Sequence, residues 1–415
     1  MGRFRRFLTH LGPGLVTGAA DDDPSGVVTY SIAGARFGTS LLWTPLLTWP
    51  LMAAVQLMCS RVGMVTGRGL VGALRARFPR GIILVGALAL LAANTVNIGA
   101  DLSAMADAAE LFTGVNSHLW VIVFGVGIAW ATIRMPYAVL ARTLKWLTLA
   151  LLAYVACAFY VGPDWGVVAR AAVLPSVPSG PGEWKALLAI LGTTISPYLF
   201  FWQASQEVEE ERAQGRRSVR SRQGASIAEI HRRTVDVLTG AFASNVVMFF
   251  IILTTAITLH EHGILRIGTS REAMEALEPI AGRAASGLYA LAIIGVGLLA
   301  VPTLSGSAAY AFSELFHWQD GLDLKLHQAP AFYAVVLIAS LGGVAMDYFN
   351  LDPVGALYFS AMLNGMLAPF LLAGVLVIAS DSKVMAQQPS SLLTRGIVLV
   401  TILCMVGAAA GMFLL

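Results

Sequence analysis

Asp21, Asp22 and Asp23 stand in a row before Pro24, Ser25 and Gly26, in the stretch GAADDDPSGVV at positions 18–28 of the 415-residue chain. The residues on either side are mostly apolar, and a carboxylate inside an apolar segment is costly enough to be read first as functional. Pro24 cannot donate a backbone hydrogen bond, and Ser25-Gly26 continues a helix poorly. A break there frees backbone carbonyls beside a negative side chain, which is a cation site in outline. The plainer reading is that a helix simply begins at Asp23 as its N-cap. That reading leaves the apolar GPGLVTGAA unexplained and the helix very short. Asp21 and Asp22 either add charge to the site or face an aqueous vestibule.

A second stretch has related chemistry. In TTISPYLF, positions 193–200, Thr193, Ser196 and Tyr198 flank Pro197. Ser196 reads as an oxygen donor or as a small packing residue, and Tyr198 as a gate or a core aromatic with its hydroxyl satisfied. Asp101, between apolar runs, is the other carboxylate whose setting points to function. QEVEEER, 206–212, reads as a solvated helix end, or else as an acidic patch that draws cations. Cys59, Cys157 and Cys404 lie far apart in apolar runs and read as small buried hydrophobes. His231, His260, His262 and His327 fall at the edges of apolar runs without zinc-type spacing. No phosphate-binding glycine loop or nucleophile arrangement is present, so neither an enzyme nor an ATP-driven pump is expected, and no cofactor.

The elements that must position these residues are membrane spans. Hydrophobic residues make up 57% of the chain and charged residues 12%, where soluble domains carry about 25% charged. Mean hydropathy is +0.73. Apolar runs near 13–36, 40–60, 82–112, 118–133, 144–162, 185–206, 234–260, 285–312, 329–346, 353–379 and 396–414 are each of a length to cross or nearly cross a bilayer. They are numbered here as spans 1 to 11. The start, MGRFRRFLTH, lacks the long apolar core and cleavage site of a signal peptide and is expected to stay on the mature chain.

With the N-terminus in the cytoplasm, only Arg36, Arg170, Lys185, Arg266, Arg271 and Arg283 of the 27 Lys and Arg fall outside cytoplasmic segments. That asymmetry predicts N-terminus inside and, with eleven spans, C-terminus outside. The basic RRSVRSR stretch then reads as a cytoplasmic loop rather than a nucleic-acid surface. Spans 1 and 6 both look broken, at DDDPSG and at TTISPYLF, five spans apart. Paired Pro/Gly interruptions in matching halves point to an inverted-repeat carrier, because unwound backbone is tolerated in a membrane only where it lines a cavity or binds something. Repeat one would run about 13–162 and repeat two about 185–379, with an extra helix at 396–414, in one transport domain covering 1–415.

GPGLVTGAADDDPSGVVTYSIAGARFGTSLLW resembles the first helix of the NRAMP (natural resistance-associated macrophage protein) metal transporters, whose motif there is Asp-Pro-Gly-Asn. The likeness continues in QLMCSRVGMVTGRGL, NIGADLSAMADA, DVLTGAFASNVVMFF and LAPFLLAGVLVIASDSKVM, so it covers most of the chain. The resemblance implies an all-α LeuT-type fold of eleven helices with a cation site between helices 1 and 6.

Departures from the family pattern bear on which ion is carried. Asp-Pro-Gly-Asn becomes Asp23-Pro24-Ser25-Gly26, so the aspartate stays and the asparagine ligand is lost at Gly26. The helix 6 motif Ala-Thr-Val-Met-Pro-His becomes Thr193-Thr194-Ile195-Ser196-Pro197-Tyr198. The carbonyl-supplying residue is then Thr193, the sulfur ligand is replaced by Ser196, and the histidine by Tyr198. The helix 10 glutamine falls on Ala361. Asp101 matches the proton-pathway aspartate, but the glutamate a turn later is Ala104, and APAFYAVVLIASLGG in span 9 has no arginine.

Thioethers select softer metals, whereas hydroxyl, carbonyl, carboxylate and water suit hard ones. Mg²⁺ keeps several waters and takes one or two carboxylates. The chain therefore resembles the magnesium-transporting branch related to NRAMP more than its iron and manganese branch. The expected ion site is Asp23, Gly26, Thr193, Ser196, Ala20 and Asp22, with Asp101 and Tyr198 in proton movement or gating. The expectation is a monomeric secondary carrier of Mg²⁺, or of Mn²⁺, in the cell membrane, read as an inner membrane, with weak or no proton coupling. The alternatives are a LeuT-type carrier of a small organic solute and a membrane sensor that does not turn over.

Overall fold

The structure, a computed structural model, describes residues 13–135, 147–282, 285–349 and 352–414. Arg3, Arg5, Arg6, Arg142, Lys145 and Arg283, which entered the charge argument, lie outside the described residues, as do MGRFRRFLTH and the first residues expected of span 5.

Prolines decide where the two central helices break. Span 1 is two pieces, Pro13–Asp21 and Pro24–Phe37, and span 6 is Pro181–Thr194 followed by Pro197–Ala213. Pro24 and Pro197 each take the first position of the second piece, where a missing N–H costs nothing. Asp23 and Ser196 precede them in extended backbone, so the helical ladder stops there. Both readings of Asp23 turn out to be true together: it is an N-cap, and a half-helix precedes it.

The other spans are Thr44–Thr66, Arg80–Thr113, Ser117–Arg134, a 3₁₀ turn at Leu147–Leu151 leading into Leu152–Val161, Ile227–Thr258, Ala285–Phe316, Pro330–Met346, Pro353–Ser380 and Leu392–Leu414. No strand occurs among the described residues. Three helices run further than their apolar cores suggest. Span 2 continues to Thr66 and carries Arg61 within it, and the second half of span 6 makes QEVEEER helical. Span 7 begins at Ile227, because Ser226 and Glu229 form a reciprocal capping box ahead of the apolar run.

Burial sorts the spans into centre and rim. The apolar window of span 6 is wholly buried, while spans 4 and 11 bury 28% of theirs and turn the rest outward. Trp130, Phe370 and Leu403 on that outer surface suit a hydrocarbon solvent. At the centre, glycines let backbones touch. Spans 1 and 7 run side by side in the same direction, and a Cβ on Gly18 would stand 2.5 Å from the Gly240 carbonyl. A Cβ on Gly192 of span 6 would run into the carbonyl oxygen of Ala361 on span 10. These contacts seat each broken span against a neighbour, span 1 on span 7 and span 6 on span 10.

Candidate functional site: the crossing of the two broken helices

Asp23 is buried at the crossing and its two oxygens face different elements. Oδ1 accepts the Gly26 N–H at 2.8 Å and the Ser25 hydroxyl at 2.6 Å, which caps the second half of span 1. Oδ2 accepts from the Asn97 amide at 3.3 Å and lies 3.3 Å from the Tyr198 hydroxyl. The same Tyr198 hydroxyl is 2.9 Å from the Ala20 carbonyl, the better placed of its two acceptors. Tyr198 therefore bridges the end of the first half-helix of span 1 and the start of the second half of span 6.

On the span 6 side, the Ser196 hydroxyl turns back to the carbonyls of Gly192 at 2.9 Å and Thr193 at 2.6 Å. It satisfies carbonyls that the break would leave open. The Thr193 hydroxyl is 3.2 Å from that of Ser25, joining the two breaks directly. Tyr30 and Thr194 meet at 3.0 Å one step further along. The Met248 sulfur takes the hydroxyls of Thr194 and Thr48, each at 3.8 Å, rather than facing Asp23.

Gly26 is close to this cluster: a Cβ there would be 3.3 Å from the Thr193 hydroxyl and 3.4 Å from the Asp21 carbonyl. Asp101 joins through Asn97, whose amide nitrogen reaches Asp23 Oδ2 and Asp101 Oδ2, the latter at 3.2 Å. Ser360 on span 10 donates to the Asn97 carbonyl oxygen at 2.8 Å and so fixes which way the amide points. Asp22 is placed elsewhere. It and Asp21 turn toward Ser244 of span 7, at 3.1 and 2.7 Å. Ala361 is buried, with its carbonyl against Gly192.

Asn97, Ser25 and Ser360 had not been singled out from the sequence. Asn97 stands four residues before Asp101, hence on the same helix face, and that spacing was the available clue. Among the described residues no three His, Cys, Asp or Glu side chains converge as a metal cluster. What converges on Asp23 is one carboxylate among hydroxyl, carbonyl and amide groups. Ala20, Asp23, Asp101, Thr193, Ser196 and Tyr198 are all at most 1% exposed, so the centre is closed on every side.

A clamp closes the side nearest the N-terminus. Thr17 donates to Gln203 at 2.6 Å, Gln203 to Glu207 at 2.7 Å, and Ser60 to Glu207 at 2.9 Å. Arg233 of span 7 pairs with Glu207 and Asp236, at 2.8 and 2.7 Å, and with Glu210. Asp236 in turn accepts the Gly14 N–H at 2.8 Å. The first half of span 1 is thereby tied to spans 2, 6 and 7 by polar groups that water could replace on opening.

Spans 1 and 6 run antiparallel, with Thr17 on Gln203, Ala20 on Tyr198 and Ser25 on Thr193, and their breaks meet at a buried carboxylate, the arrangement of a membrane protein of the LeuT-type fold. Residues 14–415 match the family described as natural resistance-associated macrophage protein-like, and the chain belongs to that family. It is 27% identical over 394 residues to the divalent metal cation transporter MntH of Deinococcus radiodurans, covering 92% of this chain and 84% of that one. To the protein of the same name in Yersinia pestis it is 26% identical over 414 residues, covering 97% and 94%. A mutant of the Eremococcus coleocola manganese transporter superposes with a TM-score of 0.77 at 17% identity, covering 98% and 87%. Mhp1, a nucleobase-cation-symport-1 family transporter, shares the fold with a TM-score of 0.59 at 14% identity, over 96% and 91%.

Proposed function

We propose that the protein is a secondary carrier of divalent metal cations, with Mg²⁺ its preferred ion and Mn²⁺ also accepted. The observation that carries this reading is Asp23, a buried carboxylate at the meeting of two helix breaks with oxygen donors around it. In the loaded carrier Asp23 supplies the charge, and the carbonyls of Ala20 and Thr193 become free to face the ion when the Tyr198 and Ser196 hydroxyls turn away. Ser25, Thr193 and Ser196 offer hydroxyl oxygens, and Gly26 leaves space for retained water. The relatives named for divalent cations and manganese support the metal class. Preference for a hard ion rests on hydroxyl and carbonyl groups in place of a thioether.

Coupling to protons is weak on this reading. The link from Asp23 toward Asp101 is the Asn97 amide, which donates to both and does not itself titrate. Spans 1–5 and 6–10 act as the two halves that rock about the site, with span 11 outside them. The carrier works as a monomer in the cell membrane with its clamp end cytoplasmic, a reading that the asymmetry of Lys and Arg along the sequence supports.

The test is purified protein in liposomes containing Mg²⁺, Mn²⁺ and pH indicators read side by side. The expected record is Mg²⁺ entry, slower Mn²⁺ entry and little acidification. Absence of any divalent flux, with folded protein in the membrane, overturns the proposal.

A further inference from the structure

Asp21 and Asp22 do not share the surroundings of Asp23. Both sit at the C-terminal end of the Pro13–Asp21 helix, where the helix dipole is negative and disfavours carboxylates. Asp21 is fully buried and Asp22 is 5% exposed. Their carboxylates meet one and the same hydroxyl, that of Ser244, at 2.7 and 3.1 Å. A serine hydroxyl has one hydrogen and can donate it to only one of them at a time. Asp21 Oδ1 has no hydrogen-bond partner among the described residues. Two adjacent buried carboxylates with one donor between them are a negative site without its counter-charge.

A second observation comes from span 2. Gln56 is 2% exposed, and neither its amide oxygen nor its nitrogen has a partner. It lies one helical turn from Met52, whose sulfur is 3.6 Å from the amide of Asn245, the neighbour of Ser244. It also lies one turn from Ser60, which bonds the clamp residue Glu207. Gln56 thus stands on the face of span 2 that looks toward span 7 and the clamp, level with the stretch between them.

We propose that Asp21 and Asp22, with Ser244 and the amide oxygen of Gln56, form a second divalent-cation station, separate from the Asp23 site. The inference rests on the carrier reading and extends it. Two carboxylates, a hydroxyl and an amide oxygen, completed by water, are the donor set of a hard divalent cation. The station lies between Asp23 and the clamp, so an ion leaving Asp23 toward the clamp side meets it as the clamp opens. It holds the departing ion while Asp23 is recharged with its hydroxyl and amide partners, and it would let two ions occupy one chain at once.

The experiment is equilibrium dialysis of Mn²⁺ alone against the purified full-length protein, counting ions per chain, with monodispersity checked by gel filtration. Wild type is expected to hold two ions. Asp21→Asn/Asp22→Asn is expected to hold one, and Asp23→Asn also one. If the double variant does not fold, Asp21→Asn alone is read in the same way. One ion in wild type that persists in Asp21→Asn/Asp22→Asn and disappears in Asp23→Asn overturns the second station and leaves the carrier reading intact. Two ions in all three proteins place both sites elsewhere and overturn the station as assigned. No ion in folded wild type overturns both.

Discussion

Asp23 has four polar partners in the closed molecule, and a bound cation would take the place of some of them. Asp23→Asn keeps the shape and the Gly26 cap but removes the charge. It is expected to reduce Mg²⁺ uptake into liposomes by about 100-fold or more, since even outer partners of metal ligands cost about 10- to 100-fold. Uptake at the wild-type rate would falsify the assignment of the site. Asp101→Asn, one amide further out, should be milder, with initial rates lowered by no more than about tenfold. Ser196→Met tests the preference for hard ions. It puts a thioether where a hydroxyl now closes the Gly192 and Thr193 carbonyls, so Mg²⁺ uptake should fall and Cd²⁺ binding should rise. Titration calorimetry with both ions reads the two changes. A variant that loses Cd²⁺ and Mg²⁺ alike would mean that bulk, not softness, governs this position.

Among the elements, the Pro13–Asp21 half-helix is held by polar ties and by close backbone contacts at Gly14 and Gly18. Arg233 is the centre of those ties, facing Glu207, Glu210 and Asp236. Arg233→Gln leaves three carboxylates around a neutral side chain; two of them, Glu207 and Asp236, are buried, while Arg233 and Glu210 are partly exposed, so the cost falls below the about 3–5 kcal/mol of a fully buried pair. Part of that cost is relieved if the half-helix swings out and water reaches the carboxylates. The expected outcome is a lower melting temperature together with faster modification of a Thr17→Cys probe by a water-soluble maleimide. Cys59 and Cys157 are buried, and Cys404, which is partly exposed, is replaced beforehand to remove background. A probe that stays as protected as in the parent, in protein of lowered stability, would show that the clamp stabilises without gating. Span 7 starting at Ile227 matters here, since its extra turns carry Arg233 into the clamp, where Ser60 at the end of the expected span 2 already bonds Glu207. Hydropathy missed those turns, because it sees the apolar core of a helix and not the polar turns packed against another helix.

At the level of the whole molecule, the apolar runs were legible in the sequence, eight of them as helices long and apolar enough to cross a membrane among the described residues, as were the two breaks and the carboxylate at the first of them. Length and hydropathy are local properties, and so is a proline's missing N–H; each acts through the chain next to it. The unit of transport should likewise follow from one chain: protein reconstituted at one copy per vesicle is expected to retain full Mg²⁺ entry per copy, and loss of flux on dilution would show that a partner is needed. Asn97 and Ser360, 263 residues apart, could not be paired from their places in the chain. The sequence marked Asp23 as the expected ion ligand and left open whether Asp21 and Asp22 add charge to its site or face water. Only the tertiary structure sent Asp23 toward spans 3 and 6 and the other two toward Ser244. That division is set by the Gly18–Gly240 contact and by the end of the first half-helix at Asp21, which fix the rotation of each backbone segment against its neighbours. Side-chain direction at a helix break depends on such long-range packing, and no pattern within the triplet encodes it.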